Sequence, residues 1–172
     1  VACCRALEGP TFGDPVGGGA ATFGGLDSPF SKVIGVGFTD EVGDAELDAL
    51  ELRYAEHGAP VSFEISTLVD PELGERLSLR GYRLVSFENV LVRAITDDLA
   101  EPSRDIEVRR AEDDRRTWLD IAVEAALNAD DAGVPWHQEF PREELERAEL
   151  AALAAGARPF LASVGGVPAG AA

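Results

Sequence analysis

The strongest constraint on the fold is an alternation of strand and helix patterns in the first half of the chain. Residues 32–38 and 61–66 have the apolar or alternating patterns of strands, and residues 83–94 predict one or two more. Between them, residues 44–57 and 70–80 predict helices, because their leucines recur at helical spacing and a glycine follows each segment. This order requires a sheet covered by helices, so the sequence predicts an α/β fold with mixed sheets flanked by helices.

The second half of the chain has a different order of elements. Its patterns predict a strand, two helices and a second strand, at residues 106–110, 114–128, 141–155 and 159–164. Gly165 and Gly166 then have the composition of a two-residue hairpin turn, and a returning strand follows up to residue 172.

We divide the chain into four segments on this pattern. Residues 1–17 contain prolines and glycines and are expected to be irregular. The polar stretch 96–104 is the predicted linker between a unit at 18–95 and a unit at 105–172. Because the chain begins without methionine and ends inside a predicted strand, we expect it to be part of a longer protein.

Charge restricts the classes of partner. The 172 residues include 32 acids and 15 bases, which gives a net charge of -17. Such a field repels phosphate backbones and anionic lipid surfaces, so we expect no nucleic-acid partner and no membrane partner. It attracts cations such as amines, although an acidic surface that only aids solubility is the commoner explanation.

The positions of the cysteines and histidines and the lengths of the apolar runs argue against a disulfide framework, a membrane span and a metal site. Cys3 and Cys4 are adjacent and cannot join distant segments by disulfides, and no apolar run approaches 20 residues, so we expect a cytoplasmic protein. His57 and His137 stand alone in different units, so no metal site is predicted. In the last turn of its helix, His57 most simply satisfies the helix C-terminus.

Three phrases resemble the GNAT N-acetyltransferase family. IEVRRAEDD (106–114) and FLASVGGVPAGAA (160–172), with the two helices between them, are similar to its opening half. LSLRGYRLVSFENVLVRAI (77–95) is similar to its closing half. The resemblance implies a tandem protein, in which a degenerate first copy precedes a second, catalytic copy. It further implies transfer of an acetyl group from acetyl-CoA to an amine of a small molecule or protein, with this chain inactive by itself.

In that family a loop of the form Arg/Gln-x-x-Gly-x-Gly/Ala, between the fourth strand and third helix, holds the acetyl-CoA pyrophosphate. The near match here is KVIGVG, so the candidate cofactor-binding residues are Lys32, Gly35 and Gly37. Lysine departs from the first position of the pattern, and acids in the downstream turns oppose anion binding. The alternative is a glycine-containing apolar strand, which we favour. We therefore expect weak or no acetyl-CoA binding by this chain.

The family also uses the connection around its first two helices to line the acceptor pocket. Here that connection contains Asp130, Asp131, Trp136 and His137, which would supply carboxylates for a cation, an apolar wall and a titratable group. The alternative is a surface loop whose tryptophan packs on the core. The two tyrosines match no catalytic position of the family and are interpreted as structural, so the catalytic residues stay unassigned, as does the oligomeric state. A non-catalytic α/β module that binds a ligand or partner is the alternative function.

Overall fold

A computed structural model of the chain describes residues 1–94, 105–128 and 139–172. These residues form two compact units. The first combines Val1–Arg83 with Phe140–Ala157, and the second combines Leu84–Glu139 with Arg158–Ala172. Each unit contains helices and a sheet, so the predicted α/β class is confirmed.

The elements follow one another in the described part of the chain as α1 Ala2–Ala6, β1 Phe12–Val16, β2 Gly19–Phe23, β3 Lys32–Ile34, α2 Asp44–Ala55, β4 Phe63–Glu64, α3 Pro71–Leu79, β5 Ile106–Arg110, α4 Arg115–Leu127, α5 Arg142–Ala154, β6 Phe160–Val164 and β7 Val167–Ala171. The helices predicted at 44–57, 70–80, 114–128 and 141–155 are therefore confirmed to within two residues. The strand predicted at 61–66 is present but spans only β4.

The first sheet has the strand order β1-β2-β3-β4 and is mixed, with both antiparallel and parallel strand pairs. Its first three strands are antiparallel neighbours, whereas β3 and β4 are parallel and pair Val33 with Phe63. Helix α2 lies between β3 and β4 in the chain, as a parallel connection requires. The first sheet is thus an antiparallel meander followed by a β–α–β crossover.

Aromatic side chains fill the core of the first unit. Phe12 stacks on Phe23 with 5.5 Å between ring centroids, and Tyr54 meets the Phe12 ring edge-on at 5.2 Å. The fully buried Tyr54 hydroxyl donates a hydrogen bond to Thr22 O at 2.7 Å, which joins α2 to β2. This contact satisfies a buried polar group and agrees with the structural role predicted for Tyr54.

Local signals set the helix ends. Asp70 accepts a hydrogen bond from Glu72 N at 2.9 Å, with Pro71 as the first residue of α3, as predicted. Gly58 and Gly81 have φ of 68° and 92° beyond the ends of α2 and α3, where the left-handed region favours glycine.

Two predictions for the first half of the chain are wrong. Residues 83–94 belong to none of the strands in the described part of the chain, and Leu84, Phe87 and Leu91 are 74%, 79% and 93% exposed. Alternation predicts a strand, but a strand forms only where a neighbour supplies backbone hydrogen bonds. Residues 1–17, expected to be irregular, contain α1 and β1. Pro15 fits in β1 because an edge strand does not need every N–H.

The sheet of the second unit has the order β5-β6-β7 and is antiparallel throughout. Gly165 and Gly166 form the predicted hairpin turn, with φ of 58° and 80°. The indole N–H of Trp118 in α4 donates to Ala172 O at 2.9 Å, and Leu161 in β6 is fully buried. Strand pattern and turn chemistry together therefore specified this hairpin correctly.

An ion-pair network joins α2 to the end of α3 and predicts a pH effect. Arg80 donates two hydrogen bonds to Glu51, at 3.0 and 2.8 Å, and pairs with Asp48. The hydrogen bond from Arg80 holds the pKa of Glu51 below its ordinary value of 4.5. A depressed carboxylate pKa stabilises the fold above the unfolded-state value, and that stability is lost as the pH falls through the folded-state pKa.

We therefore expect Glu51→Gln to lower the free energy of unfolding at pH 7 by about 0.5–1 kcal/mol, since the pair is partly exposed and screened. The difference should shrink as the pH falls below about 4. Urea unfolding at pH 7 and pH 3 measures it, with Glu75→Gln, an exposed position on α3, as the matched control. An equal loss at both pH values would contradict the role of the Glu51 charge.

Candidate functional site

The glycines of the predicted donor loop form a turn at the carboxyl end of β3. Lys32 begins that strand, and Gly35 and Gly37 follow it with φ of 69° and 83°. These left-handed conformations end the strand at Ile34, so only the start of the predicted strand 32–38 is present. The glycine turn (residues 35–37) leads towards α2, the location where the resemblance puts the donor loop.

The glycine turn is packed against the turn between β1 and β2. Gly37 N donates to Gly17 O at 3.0 Å, and Val36 is 1% exposed. A Cβ on Gly19 would lie 2.6 Å from Val36 N and still closer to Ile34 O. The two turns thus meet backbone to backbone, and the N–H of Gly37 already has a partner inside the protein.

The side chain of Lys32 also has a partner within the protein. Its ammonium group forms an ion pair with the carboxylate of Glu64 on the neighbouring parallel strand β4. Lys32 is 28% exposed and Glu64 is 45% exposed, so the pair lies at the surface of the sheet. A phosphate bound by Lys32 would have to compete with this carboxylate.

A cleft of about 220 Å³ opens beside the glycine turn, and we call it the donor-turn cleft. It lies between residues 37–42 and the first turns of α3. Its charged lining residues are Asp40, Glu41, Asp70, Glu72 and Arg76. The acids therefore outnumber the base.

Arg76 is held inside this lining by two contacts. Its guanidinium donates to Val42 O at 2.6 Å and to Glu41 at 3.0 Å. The hydrogen bond that Arg76 donates to Glu41 raises the pKa of Arg76 above its ordinary value. The positive charge of Arg76 is thus already paired with a carboxylate, and the cleft favours cations over anions.

The N-terminus of α2 is occupied as well. The carboxylate of Glu46 accepts a hydrogen bond from Gly43 N at 3.0 Å, and Asp44 lies in the same first turn. Helix N-termini attract anions through free N–H groups and the helix dipole. Here the carboxylate of Glu46 already bonds to the N–H of Gly43, and the charges of Asp44 and Glu46 oppose an anion at this terminus.

The predicted acceptor residues Asp130, Asp131, Trp136 and His137 lie outside the described residues. Their role in substrate binding therefore stays a prediction.

Both tyrosine hydroxyls donate hydrogen bonds within the first unit. Tyr54 donates to Thr22 O, and burial raises its pKa above the ordinary value. The hydroxyl of Tyr82 donates to Glu51 at 3.2 Å, and burial together with the Glu51 charge raises its pKa to about 12. A phenol at that pKa keeps its proton at neutral pH and transfers it reluctantly.

Sequence reasoning missed a larger cleft, of about 450 Å³, which we call the His57 cleft. Its lining includes Glu8, Phe23, His57 and Arg147. His57 Nδ1 lies 3.1 Å from Arg53 O, the helix-end contact that the sequence predicts. No local signal reveals the cleft, because its residues come from distant parts of the chain.

Residues 1–94, 105–128 and 139–172 contain no group of three or more His, Cys, Asp or Glu side chains that could hold a metal ion. None of the helices in this part of the chain has the length and apolar character needed to cross a bilayer.

Comparison with protein-family models, curated proteins and solved structures gives no match to this chain.

Proposed function

We propose that the protein is, in its full-length form, an acyltransferase that moves an acetyl group from acetyl-CoA to an amine of a small molecule or protein. One observation carries the proposal: the order of the first sheet. An antiparallel meander is followed by the parallel β3–α2–β4 crossover, and a glycine turn lies between β3 and α2. The donor loop of the GNAT N-acetyltransferases, which the sequence resembles, follows a strand and precedes a helix in the same way.

The first unit is proposed to be a degenerate copy that keeps this topology without the anion-binding chemistry. Lys32 replaces the family's Arg or Gln and pairs with Glu64. The N–H of Gly37 is bonded to Gly17 O, and a carboxylate caps α2. Donor binding would then belong to a second copy, whose opening half corresponds to residues 105–172 and so includes β5, α4, α5 and the β6–β7 hairpin, although α5 belongs to the first compact unit.

The charge of the protein supports an amine as the acceptor. Acetyl transfer needs the neutral amine as nucleophile and a proton for the departing CoA thiolate. A net charge of -17 raises the local concentration of cationic amines before one loses its proton. The reaction would take place in the cytoplasm, and Asp130, Asp131, Trp136 and His137 remain the proposed acceptor residues.

A non-catalytic module that binds a ligand or partner is the second candidate. The observation that favours it is the acidic lining of the donor-turn cleft, in which Arg76 is bonded to Val42 and Glu41. Such a cleft repels the phosphates of acetyl-CoA.

A thiol-release assay tests the enzyme proposal. The product of the complete gene and the 172-residue chain are each mixed with acetyl-CoA and a panel of primary amines, and free CoA is measured with a thiol reagent. We expect amine-dependent CoA release by the complete product and none by the chain, with acetyl-CoA alone as the blank. If the complete product releases no CoA with any amine, the non-catalytic module is the better proposal.

A further inference from the structure

The His57 cleft is built from four separate parts of the first unit. Glu8 and Pro10 come from the start of the chain, Phe23 to Leu26 from the end of β2 and the following turn, Glu56 and His57 from the end of α2, and Arg147 from α5. Its volume of about 450 Å³ lies within the range of small-molecule sites. None of its lining residues is shared with the donor-turn cleft.

The orientation and tautomer of His57 are fixed by its contacts. Its ring meets Phe23 edge-on at 4.8 Å and Phe12 at 5.5 Å between centroids. Nδ1 lies 3.1 Å from Arg53 O, which can only accept a hydrogen bond, so Nδ1 carries the proton of the neutral ring. Nε2 then has the lone pair and acts as an acceptor.

The positive charge in the lining is already neutralised. Arg147 donates to Gly24 O and, at 3.3 Å, to Glu144 of its own helix. The Nε of the guanidinium is buried without a hydrogen-bond partner, but an anion bound there would share the guanidinium with the carboxylate of Glu144. Arg147 is therefore better suited to holding α5 against the β2–β3 turn than to binding a ligand.

Negative charge, in contrast, is available. Glu8 is exposed and takes part in none of the ion pairs among the described residues. Glu56 is 3.7 Å from Arg53, a distance at which an exposed pair is weak. With Arg147 compensated by Glu144, the two carboxylates give the cleft a negative potential.

Apolar groups form the rest of the lining. Phe23, Pro10 and Leu26 line the cleft, and Leu26 is 61% exposed although it is a large hydrophobic residue. Gly24 and Gly25 add no side chains, and a Cβ on Gly25 would approach Arg147 to 3.3 Å. The cleft therefore combines apolar contact area with carboxylates and a lone-pair acceptor.

We propose that the His57 cleft binds a primary organic ammonium ion with a compact apolar or aromatic body. Glu8 and Glu56 attract the ammonium group, His57 Nε2 accepts one of its N–H groups, and the body lies against Leu26 and Pro10. This binding requires no acetyl-CoA, so it stands or fails independently of the acyltransferase proposal.

Phenethylamine is the probe, with phenylethanol and 3-phenylpropanoate as neutral and anionic controls of similar size. Each is titrated into the 172-residue chain at about pH 7.5, where the amine is charged. The chain has two histidines, so the ring signals of His57 are assigned by His57→Gln. Backbone amide shifts at Gly24 and Gly25 provide a second readout.

We expect phenethylamine to shift the signals of His57, Gly24 and Gly25, and to bind at least about fivefold tighter than either control. The double variant Glu8→Gln/Glu56→Gln should weaken binding by about tenfold. Glu72→Gln, at the donor-turn cleft, should leave binding unchanged.

Three results would overturn the proposal. These are no shift with phenethylamine at millimolar concentration, equal binding of 3-phenylpropanoate, and unchanged affinity in the double variant. Both glutamates are exposed, so a folded double variant is expected, and its amide spectrum verifies this directly.

Discussion

Gly19→Ala is expected to lower the free energy of unfolding of the first unit by about 3 kcal/mol. The added Cβ would lie 2.6 Å from Val36 N and closer still to Ile34 O and Gly35 C. These are backbone atoms of β3 and the glycine turn, so they cannot move aside as the end of a flexible side chain can. The β1–β2 hairpin would have to separate from the glycine turn, which would also break the bond from Gly37 N to Gly17 O.

Gly74→Ala in α3 is the matched control for this substitution. Nothing lies within 4 Å of the Cβ that Gly74 would acquire, and its backbone is helical. Alanine there should raise the free energy of unfolding by about 0.5–1 kcal/mol, because glycine loses more conformational entropy on folding. Urea unfolding followed by far-ultraviolet circular dichroism measures both variants. A Gly19→Ala protein as stable as the parent would show that the two turns do not pack as described.

This packing gives Gly19 and the glycine turn a structural explanation. The sequence permits two interpretations of residues 32–37, a phosphate-binding loop and a glycine-containing strand. The structure instead shows a short strand followed by a glycine turn whose backbone meets residues 17–19. Motif matching could locate the turn, but it could not reveal that its N–H at Gly37 is used internally.

The elements that could be predicted depend on neighbours in the sequence. The Asp70–Pro71 pair starts α3, and Gly81 ends it, through contacts within a few residues. The hairpin at Gly165 and Gly166 is equally local. Such signals act through the backbone of their own segment and need no information about the rest of the fold.

The features that could not be predicted depend on distant partners. Residues 83–94 have a strand pattern but pair with none of the strands that the structure describes, whereas β1 forms because β2 is beside it. The His57 cleft brings Glu8 and Arg147 together across most of the chain. Composition and spacing carry no information about either arrangement. The role of the acceptor residues at 130–137 stays a prediction.

Acetyl-CoA is expected to bind the 172-residue chain with a dissociation constant above about 1 mM. Asp40, Glu41, Asp70 and Glu72 line the donor-turn cleft, and their charges oppose those of the CoA phosphates. Neutralising them should not create a site, because Gly37 N still donates to Gly17 O and Glu46 still accepts from Gly43 N. We therefore expect Asp40→Asn/Glu41→Gln to improve affinity by less than about tenfold.

In the function that we propose, the first unit is a degenerate copy of a donor-binding half and lacks its anion site. Isothermal titration of acetyl-CoA into the chain, combined with amide shift mapping, tests this most directly. The account predicts no measurable heat at micromolar concentration and no shifts at Gly35 or Gly37. Micromolar binding with shifts confined to Gly35, Gly37 and the start of α2 would contradict it and would assign the donor site to the first unit.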